Sequence, residues 1–373
     1  MSKLRVASLF CGIGGFEHGI INSMGKENVE FVFQSEIDKN ARKSYEAIFG
    51  HLPSGDITEI TSDEIPDHDL LVGGFPCQSF SVAGKRLGFS EARGTLFFEI
   101  ARILKEKQPE TVLLENVKGL INHDEGKTLE TILRTMNEVG YTVDYTILNS
   151  KFFGVPQNRE RVFIIGKIGL TKDGDEWETK GTNILSKSKK RMKDKINHFN
   201  FDWPKQERTD AIIKDILEEE VDEKYYLSKE KMEGFVSYSE VPEYIQKEDG
   251  ISKTIRSSGH ATYSPKHNFD GIAERVGKPN MVGKVDLGNY DKKNRVYGDN
   301  GQSPSVTATG NVLNVKEQYR IRRFTPLECW RLQGFPDESF KKAKTAGVPN
   351  SQLYKQAGNA VTTNVIEAII KKL

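Results

Sequence analysis

The sequence predicts an α/β fold with a mostly parallel sheet, together with a second, smaller β-rich domain. Short apolar runs alternate with amphipathic stretches from residue 4 to about residue 165, as in repeated strand and helix units. From about residue 207 to 345 the chain consists of short segments rich in Gly, Ser, Asn and Thr. The final stretch, residues 353–373, returns to a helical pattern, so we expect it to pack back onto the first domain.

Six apolar runs are the candidate strands of the sheet. They read "LRVASLF", "VEFVFQSEI", "DLLVGG", "TVLLENV", "YTVDYTILN" and "RVFIIGK". Two helices are predicted between them, "RGTLFFEIARILKEKQP" and "KTLETILRTMNEVG", which are closed by Pro109 and Gly140. Apolar strands that alternate with helices predict a sheet covered on both faces, whose ligands bind beyond the carboxyl ends of the strands.

Bulk composition excludes few classes of protein. The 373 residues carry a net charge of +1, which neither requires nor excludes a polyanionic partner. The three cysteines, Cys11, Cys77 and Cys329, are far apart and lack zinc-site spacing, so we expect a reduced, cytoplasmic protein without a metal. No stretch approaches membrane-spanning length, and we expect no membrane partner.

The first two strands end in residues suited to a nucleoside-type cofactor. Gly12, Gly14 and Gly15 form a turn after the first strand, and Glu36 ends the second, where an acid commonly binds a ribose diol. The spacing is GxGG and no Walker-type lysine follows, so pyrophosphate binding is not specifically indicated. In "PSGDIT", Asp56 lies where a third strand would end, although a turn or helix cap is the favoured interpretation of Asp56.

The stretch "GGFPCQSFS", residues 73–81, places Cys77 behind an apolar run and directly after Pro76. An isolated cysteine is more often an inert buried residue than a nucleophile. Its position at the carboxyl end of a strand nevertheless makes Cys77 a candidate. No histidine lies near it in sequence, so its thiol would need backbone amides and a cationic cofactor for activation.

Three further charged residues could act with such a cysteine. Glu115 follows the apolar run of the fourth strand, where its pKa should rise, unless it serves as a cap for the segment that begins at Asn116. Arg159 and Arg161 are two residues apart and should lie on one face of an incoming strand, to anchor a carboxylate or a substrate oxygen. The basic run at 187–195 is interpreted as a solvated surface insertion.

The ordered motifs "FCGIGG", "SEID", "GDI", "FPCQSFS", "ENV", "QNRER", "RRFTPLECWRLQGFP" and "GNAV" resemble those of the cytosine-C5 DNA methyltransferases of prokaryotic restriction-modification systems. The resemblance is close over residues 5–166 and 320–370 and loose between them. It implies a Rossmann-like catalytic and cofactor-binding domain at 1–205, completed by 355–373. A target-recognition domain with a hinge would occupy 206–354.

The resemblance also implies a mechanism. Cys77 would add to carbon 6 of a cytosine that is rotated out of duplex DNA, and S-adenosylmethionine would donate the methyl group. Glu115 would bind the N3 and amine side of the ring, while Arg161, with Arg159 behind it, would bind the O2 side and order Glu115. Gln78 and Ser81 would face the DNA.

The cofactor pocket follows from the same resemblance. Its residues would be Phe10, Gly12, Ile13, Gly14, Glu36, Ile37, Asp56, Ile57, Pro76, Leu96, Asn359 and Val361. Phe10 would stack on the adenine, Glu36 would bind the ribose hydroxyls and Asp56 the adenine amine. The chain departs from the family at Ile37, where an aromatic residue is frequent, and at Ala360, where serine is usual.

The expected partners are duplex DNA and a paired restriction endonuclease, with the protein acting as a bacterial or phage-encoded monomer. Thr307 would either pack against the target backbone or serve as an ordinary strand residue. The alternatives are a tRNA cytosine methyltransferase of the same fold and a nucleotide-binding oxidoreductase with a structural cysteine. A DNA-binding protein that has lost catalysis has no motif in its favour.

Overall fold

A computed structural model describes residues 2–76, 96–170, 177, 179, 181–226 and 324–373, and the backbone of six short strands between 235 and 323. Cys77, Gln78, Ser81 and Thr307 lie outside the described residues.

One six-stranded sheet organises the first half of the chain. Its strands are β1 (Leu4–Leu9), β2 (Val29–Ser35), β3 (Leu70–Gly74), β4 (Thr111–Val117), β5 (Tyr141–Asn149) and β7 (Glu160–Ile168), with the short β6 (Gln157–Asn158) before β7. The order across the sheet is β2-β1-β3-β4-β7-β5. All six predicted strands are confirmed, and the sheet is mostly parallel as expected, with β7 antiparallel to both of its neighbours.

The direction of β7 follows from its short connection. Between β5 and β7 the chain forms only a turn of 3-10 helix at Ser150–Phe152 and the two residues of β6. A parallel crossover needs a dozen or more residues and usually a helix, so this connection turns the chain straight back. The start of β7 therefore lies at the carboxyl end of β4, with Arg161 opposite Val117.

Nine helices are described. They are α1 (Gly15–Met24), α2 (Lys39–Phe49), α3 (Leu96–Lys107), α4 (Lys127–Glu138), α5 (Ile184–Met192), α6 (Pro326–Arg331), α7 (Asp337–Thr345), α8 (Asn350–Asn359) and α9 (Thr363–Ile370). The two predicted helices, α3 and α4, are confirmed. Gly140 has a φ of 98° just after α4, a conformation that glycine adopts without steric cost.

The end of the chain packs on its beginning, as its apolar stripe predicts. A Cβ added to Gly19 of α1 would lie 2.5 Å from the Cβ of Ile366 in α9. A further core cluster joins α6, α7 and α8 to Ile13 and to Ala41 of α2. The predicted domain boundaries at residues 205 and 354 stay predictions.

The basic run at 187–195 is only partly the solvated insertion that its composition predicts. Residues 184–192 form α5, and Lys189 is buried with its Nζ 2.6 Å from Asp144 Oδ1 on β5. Asp144 also accepts hydrogen bonds from the indole N–H groups of Trp177 and Trp203, at 2.6 and 2.7 Å. This buried carboxylate fastens the segment to the edge of the sheet, a contact that composition alone does not show.

Six short strands are described between residues 235 and 323. They are β8 (Phe235–Val236), β9 (Gly271–Glu274), β10 (Met281–Val285), β11 (Arg295–Tyr297), β12 (Ser303–Pro304) and β13 (Arg320–Arg323). β10 pairs with β8 and β11, β13 pairs with β9, and β12 pairs with β6 of the first half. A separate β-rich domain here stays a prediction. In the described parts of the chain, no helix has the length and apolar character to cross a bilayer.

Candidate active site

The turn after β1 is built from unusual backbone conformations. Phe10, Gly12 and Gly14 have φ values of 55°, 58° and 86°, in the left-handed region that is costly for any residue other than glycine. Among the described residues, the one atom within 4 Å of a Cβ added to Gly12 would be the Phe10 carbonyl oxygen, at 4.0 Å. The turn therefore leaves open space at Gly12, where a ligand can approach the backbone closely.

Glu36 connects this turn to the end of β2. Its Oε2 accepts a hydrogen bond from the Gly12 amide at 3.0 Å, and its Oε1 accepts one from the Asp38 amide at 2.8 Å. Burial raises the pKa of Glu36, and the two amide bonds oppose that rise. Each oxygen keeps a lone pair for another donor, so the carboxylate can accept hydrogen bonds from a diol. The next side chain, Ile37, is 68% exposed and offers an apolar surface beside it.

The third predicted element differs from the expectation of a strand end. Residues 57–59 form a turn of 3-10 helix, and Asp56 caps it by accepting a hydrogen bond from the Thr58 amide at 3.0 Å. The cap interpretation of Asp56 is therefore confirmed, and the strand-like pairing found there within the described ranges is a single bridge between Ser35 and Ser54. The Ile57 side chain is buried in the main core.

Five other predicted pocket residues have described surroundings. Ile13 and Val361 are buried in core clusters, Leu96 is partly buried at the first turn of α3, and Pro76 and Asn359 are exposed. The side chain of Ile13 is directed into the core, so only its backbone is available at the turn.

The C-terminal "GNAV" segment reaches the glycine turn. A Cβ added to Gly15 would lie 2.7 Å from Val361 Cγ1 and 2.8 Å from its carbonyl oxygen. Arg159 holds the same segment, because its Nη2 donates to the carbonyl oxygens of Gly358 and Ala360 at 3.0 and 2.8 Å. Residues from the two ends of the chain thus line one region, as the resemblance implies.

Glu115 and Arg161 form a partly buried ion pair at the carboxyl end of β4. Arg161 Nε lies 3.0 Å from Glu115 Oε1, and the two side chains are 17% and 13% exposed. Burial raises the pKa of Glu115, and the positive charges of Arg161 and Arg159 offset only part of that rise. Burial likewise lowers the pKa of Arg161, which the charge of Glu115 opposes. The expected rise at Glu115 is thus confirmed. Its interpretation as a cap is wrong, because β4 continues to Val117.

Arg159 and Arg161 do not share one face of a strand as their spacing predicts. β7 begins at Glu160, and Arg159 precedes it, with its guanidinium directed to the C-terminal segment and its Nε without a described partner. Arg161 instead turns to Glu115. The residues around the start of β7 therefore connect two parts of the site. Arg159 contacts the C-terminal segment that lies beside the glycine turn, and Arg161 contacts Glu115.

The strand that leads to Cys77 runs beside this pair. Gly74 of β3 pairs with Glu115, and a Cβ on Gly74 would lie 3.4 Å from Glu115 Oε2. Asn116 Nδ2 donates to the Phe75 carbonyl oxygen at 2.8 Å, which fixes the chain two residues before Cys77. The sequence places Asn116 beside Glu115 in "ENV", a signal of its importance, but this contact with Phe75 is visible only in the structure.

Comparison with known proteins gives the chemistry to set beside this geometry. Residues 4–373 match a family model described as C-5 cytosine-specific DNA methylase. The chain is 43% identical to the orphan methyltransferase M.SPRI of Bacillus phage SPR, across 100% of this chain and 98% of that protein. It is 38% identical to the type II methyltransferase M.SsoII of Shigella sonnei, across 100% of this chain and 80% of that protein. Among solved structures, the S. pombe Dnmt2 methyltransferase has a TM-score of 0.64 at 20% identity, covering 99% of this chain and 98% of that one.

Proposed function

The chain belongs to the family of C-5 cytosine-specific DNA methylases, and from that premise we propose how it works. It takes a methyl group from S-adenosylmethionine and places it on carbon 5 of a flipped-out cytosine in a specific duplex sequence, through a covalent bond between Cys77 and carbon 6. The observation that carries this proposal is the partly buried ion pair of Glu115 and Arg161, beside the strand that leads to Cys77.

The ion pair supplies what a cytosine ring needs from a protein. A carboxyl group whose pKa is raised by burial can accept a hydrogen bond from the exocyclic amine or donate one to N3. The guanidinium of Arg161 orders that carboxyl group and can donate to the O2 oxygen on the other side of the ring. Together they stabilise the charge that develops on the ring when a nucleophile adds to it.

Cys77 provides the nucleophile. Its thiolate sulfur bonds to carbon 6, and the electron pair of the C5–C6 double bond then makes carbon 5 an enamine-type nucleophile. The cofactor, when bound, supplies an electrophilic methyl group. After methylation, transfer of the carbon 5 proton to water and departure of the thiolate restore the double bond and free the enzyme. Arg159, which sits behind Arg161, contributes positive charge near Glu115.

The residues at the glycine turn fit S-adenosylmethionine. The open space at Gly12, the acceptor oxygens of Glu36 and the exposed apolar Ile37 match a nucleoside without phosphates. Phe10, Asp56, Ile57, Pro76 and Leu96 would complete the adenine side. Asn359 and Val361 would close the pocket from the C-terminal segment. Gly12, Ile13 and Gly14 would contribute backbone.

The DNA side of the proposal assigns residues 206–354 to target recognition and to a hinge. Carbons 5 and 6 of cytosine are inaccessible inside a duplex, so the base must leave the stack. Gln78, Ser81 and Thr307 are proposed DNA contacts. Helices α6 to α8 pack against Ile13 and Ala41, so residues 324–354 would join the recognition region to the first half as the hinge. Residues 235–323 would read bases in the major groove with polar side chains and Arg or Lys.

The central experiment replaces the nucleophile. Cys77→Ser should abolish transfer of tritiated methyl groups to duplex DNA while DNA and S-adenosylmethionine still bind, because only the sulfur is lost. Cys329→Ala, in a buried cysteine far along the chain, should retain transfer and serves as the matched control. Turnover by the Cys77→Ser protein would overturn the mechanism.

A second experiment traps the adduct. Duplex DNA that carries 5-fluorocytosine at the target should form a covalent complex with the wild-type protein, because carbon 5 cannot lose fluorine as it loses a proton. Peptide mapping should find the attachment at Cys77. If turnover conditions give no covalent complex, attack on carbon 6 is refuted.

Two rivals are tested by substrate and cofactor choice. Methyl transfer to tRNA rather than to duplex DNA would favour the tRNA enzyme of the same fold. Calorimetry with S-adenosylmethionine and with NAD distinguishes the methyltransferase from an oxidoreductase. The oxidoreductase hypothesis gives no role to Glu115, Arg161 or the large polar region.

We further propose that the methylation protects DNA from a restriction endonuclease in a bacterial or phage setting, and that the protein acts as a cytoplasmic monomer. Bisulfite sequencing of DNA from cells that express it identifies the target sequence. That DNA should then resist endonucleases that recognise the same sequence, and complete cleavage would contradict the protective role.

A further inference from the structure

Arg102 of α3 reaches from the helix to the backbone of a neighbouring segment. Its Nη2 lies 2.8 Å from the Ile60 carbonyl oxygen and 3.5 Å from that of Ile57, and its Nη1 donates to Ser62 Oγ at 2.6 Å. Its Nε donates to Glu99 Oε2 at 2.9 Å, on the preceding turn of the same helix. One guanidinium therefore binds three points of residues 56–62, here called the 56–62 segment.

The 56–62 segment depends on such contacts because its own structure is slight. It contains the single 3-10 turn at Ile57–Glu59 and the start of another at Ser62–Glu64, and 3-10 turns have weaker hydrogen-bond geometry than α-helix. A groove of about 620 Å³ separates its outer part from α3, with Thr58, Asp63 and Arg102 among its lining residues. Ile57 is buried in the main core beside α3, and Arg102 reaches across the groove to Ile60 and Ser62.

Arg102 connects the 56–62 segment to α3, and both of these elements border the proposed adenine pocket. The 56–62 segment begins with Asp56 and Ile57, and α3 begins with Leu96. The planar fork of arginine suits this position, because it can bind several acceptors at fixed angles while a lysine ammonium binds as a point charge.

We propose that Arg102 is a positioning residue for cofactor binding, which holds the wall that carries Asp56 and Ile57 against the helix that carries Leu96. This inference rests on the proposed function, because it assumes that these residues face S-adenosylmethionine. Arg102 acts through the wall and touches neither substrate nor cofactor. Its loss should weaken cofactor binding and leave the chemical step unchanged.

The test separates binding from chemistry. Arg102→Ala and Arg102→Lys should each raise the KM and the calorimetric Kd for S-adenosylmethionine by about tenfold. The kcat at saturating cofactor and the KM for DNA should stay within about twofold of wild type. Ser62→Ala, which removes one of the three contacts, should give a smaller rise in KM. Arg134→Ala removes an exposed arginine on α4 whose ion pair within the described part of the chain is with Glu130, and should match wild type.

A double-mutant cycle makes the assignment specific. Because Arg102 and Ser62 act on the same segment, the increases in Kd from Arg102→Ala and Ser62→Ala should be less than multiplicative in the double variant. A reduced kcat with an unchanged Kd would mean a general loss of active protein and would overturn the proposal. Fully multiplicative effects would overturn it as well. If Arg102→Ala does not fold, the Arg102→Lys and Ser62→Ala variants decide the question by the same Kd measurements.

Failure of this inference is distinguishable from failure of the proposed function. If the wild-type protein does not bind S-adenosylmethionine, or if Asp56→Ala leaves its affinity unchanged, the proposed pocket is wrong. If Asp56→Ala weakens binding and the Arg102 variants do not, the pocket stands and Arg102 has no positioning role.

Discussion

Replacing Glu17, which follows the glycine turn, with glutamine should remove a pH-dependent loss of folding stability. Glu17 is in the first turn of α1 and is fully buried. Its Oε1 accepts a hydrogen bond from the Tyr45 hydroxyl at 3.2 Å, and the Ser8 and Tyr45 hydroxyls offset only part of the effect of burial on the pKa of Glu17. Burial raises the pKa of Glu17 from 4.5 to about 7. Between these pH values its carboxyl group therefore stays protonated in the folded protein, whereas the same group is ionised in the unfolded chain.

The magnitude follows from proton linkage. Between pH 4.5 and about 7 the folded state holds a proton that the unfolded state has lost, so the free energy of unfolding falls as pH rises through this window. At about 1.4 kcal/mol per pKa unit, the raised pKa of Glu17 lowers the free energy of unfolding by about 3 kcal/mol above pH 7 and has no effect below pH 4.5. Glutamine keeps an oxygen for Tyr45 and cannot ionise.

Urea unfolding followed by tryptophan fluorescence, at several pH values between 4.5 and 8.5, measures this effect. We expect Glu17→Gln to be more stable than wild type by about 3 kcal/mol at pH 8 and nearly equal to it at pH 4.5. Glu30→Gln, at an exposed position of β2, should follow the wild-type curve. A stability difference between Glu17→Gln and wild type that is the same at every pH would refute the reasoning.

Three further substitutions test other contacts. Asp144→Asn leaves the charge of buried Lys189 without its partner and should lower the free energy of unfolding by about 3 to 5 kcal/mol, so a urea midpoint equal to wild type would contradict the buried pair. Gly15→Ala places a Cβ 2.7 Å from Val361 Cγ1, which should displace the C-terminal segment and weaken S-adenosylmethionine binding in calorimetry; unchanged affinity would exclude that segment from the pocket. Arg161→Lys removes the Nε contact to its carboxylate partner and should reduce kcat for methyl transfer at least about tenfold, or about 1.4 kcal/mol, whereas a normal rate would dismiss the ion pair as a catalytic element.

The local features of the fold could be predicted from the sequence. The six strands, α3 and α4 follow from runs and periodicities of apolar residues, because burial of an apolar face acts over a few consecutive residues. The same patterns placed Glu36 and Glu115 near strand ends and predicted that burial would raise the pKa of Glu115. The resemblance in ordered motifs then indicated the family, which the comparison with known proteins confirms.

Contacts between distant parts of the chain were decided only by the tertiary structure. Spacing predicted one shared face for Arg159 and Arg161, yet Arg159 binds carbonyl groups about two hundred residues away and Arg161 binds Glu115. Composition predicted a solvated run around Lys189, which in fact reaches a buried carboxylate. For Arg102 the sequence indicates only a position on an amphipathic helix, and it does not predict the contacts with the 56–62 segment. Periodicity reports which side of an element is buried, whereas the partner of a buried charge depends on which elements the whole chain brings to that side.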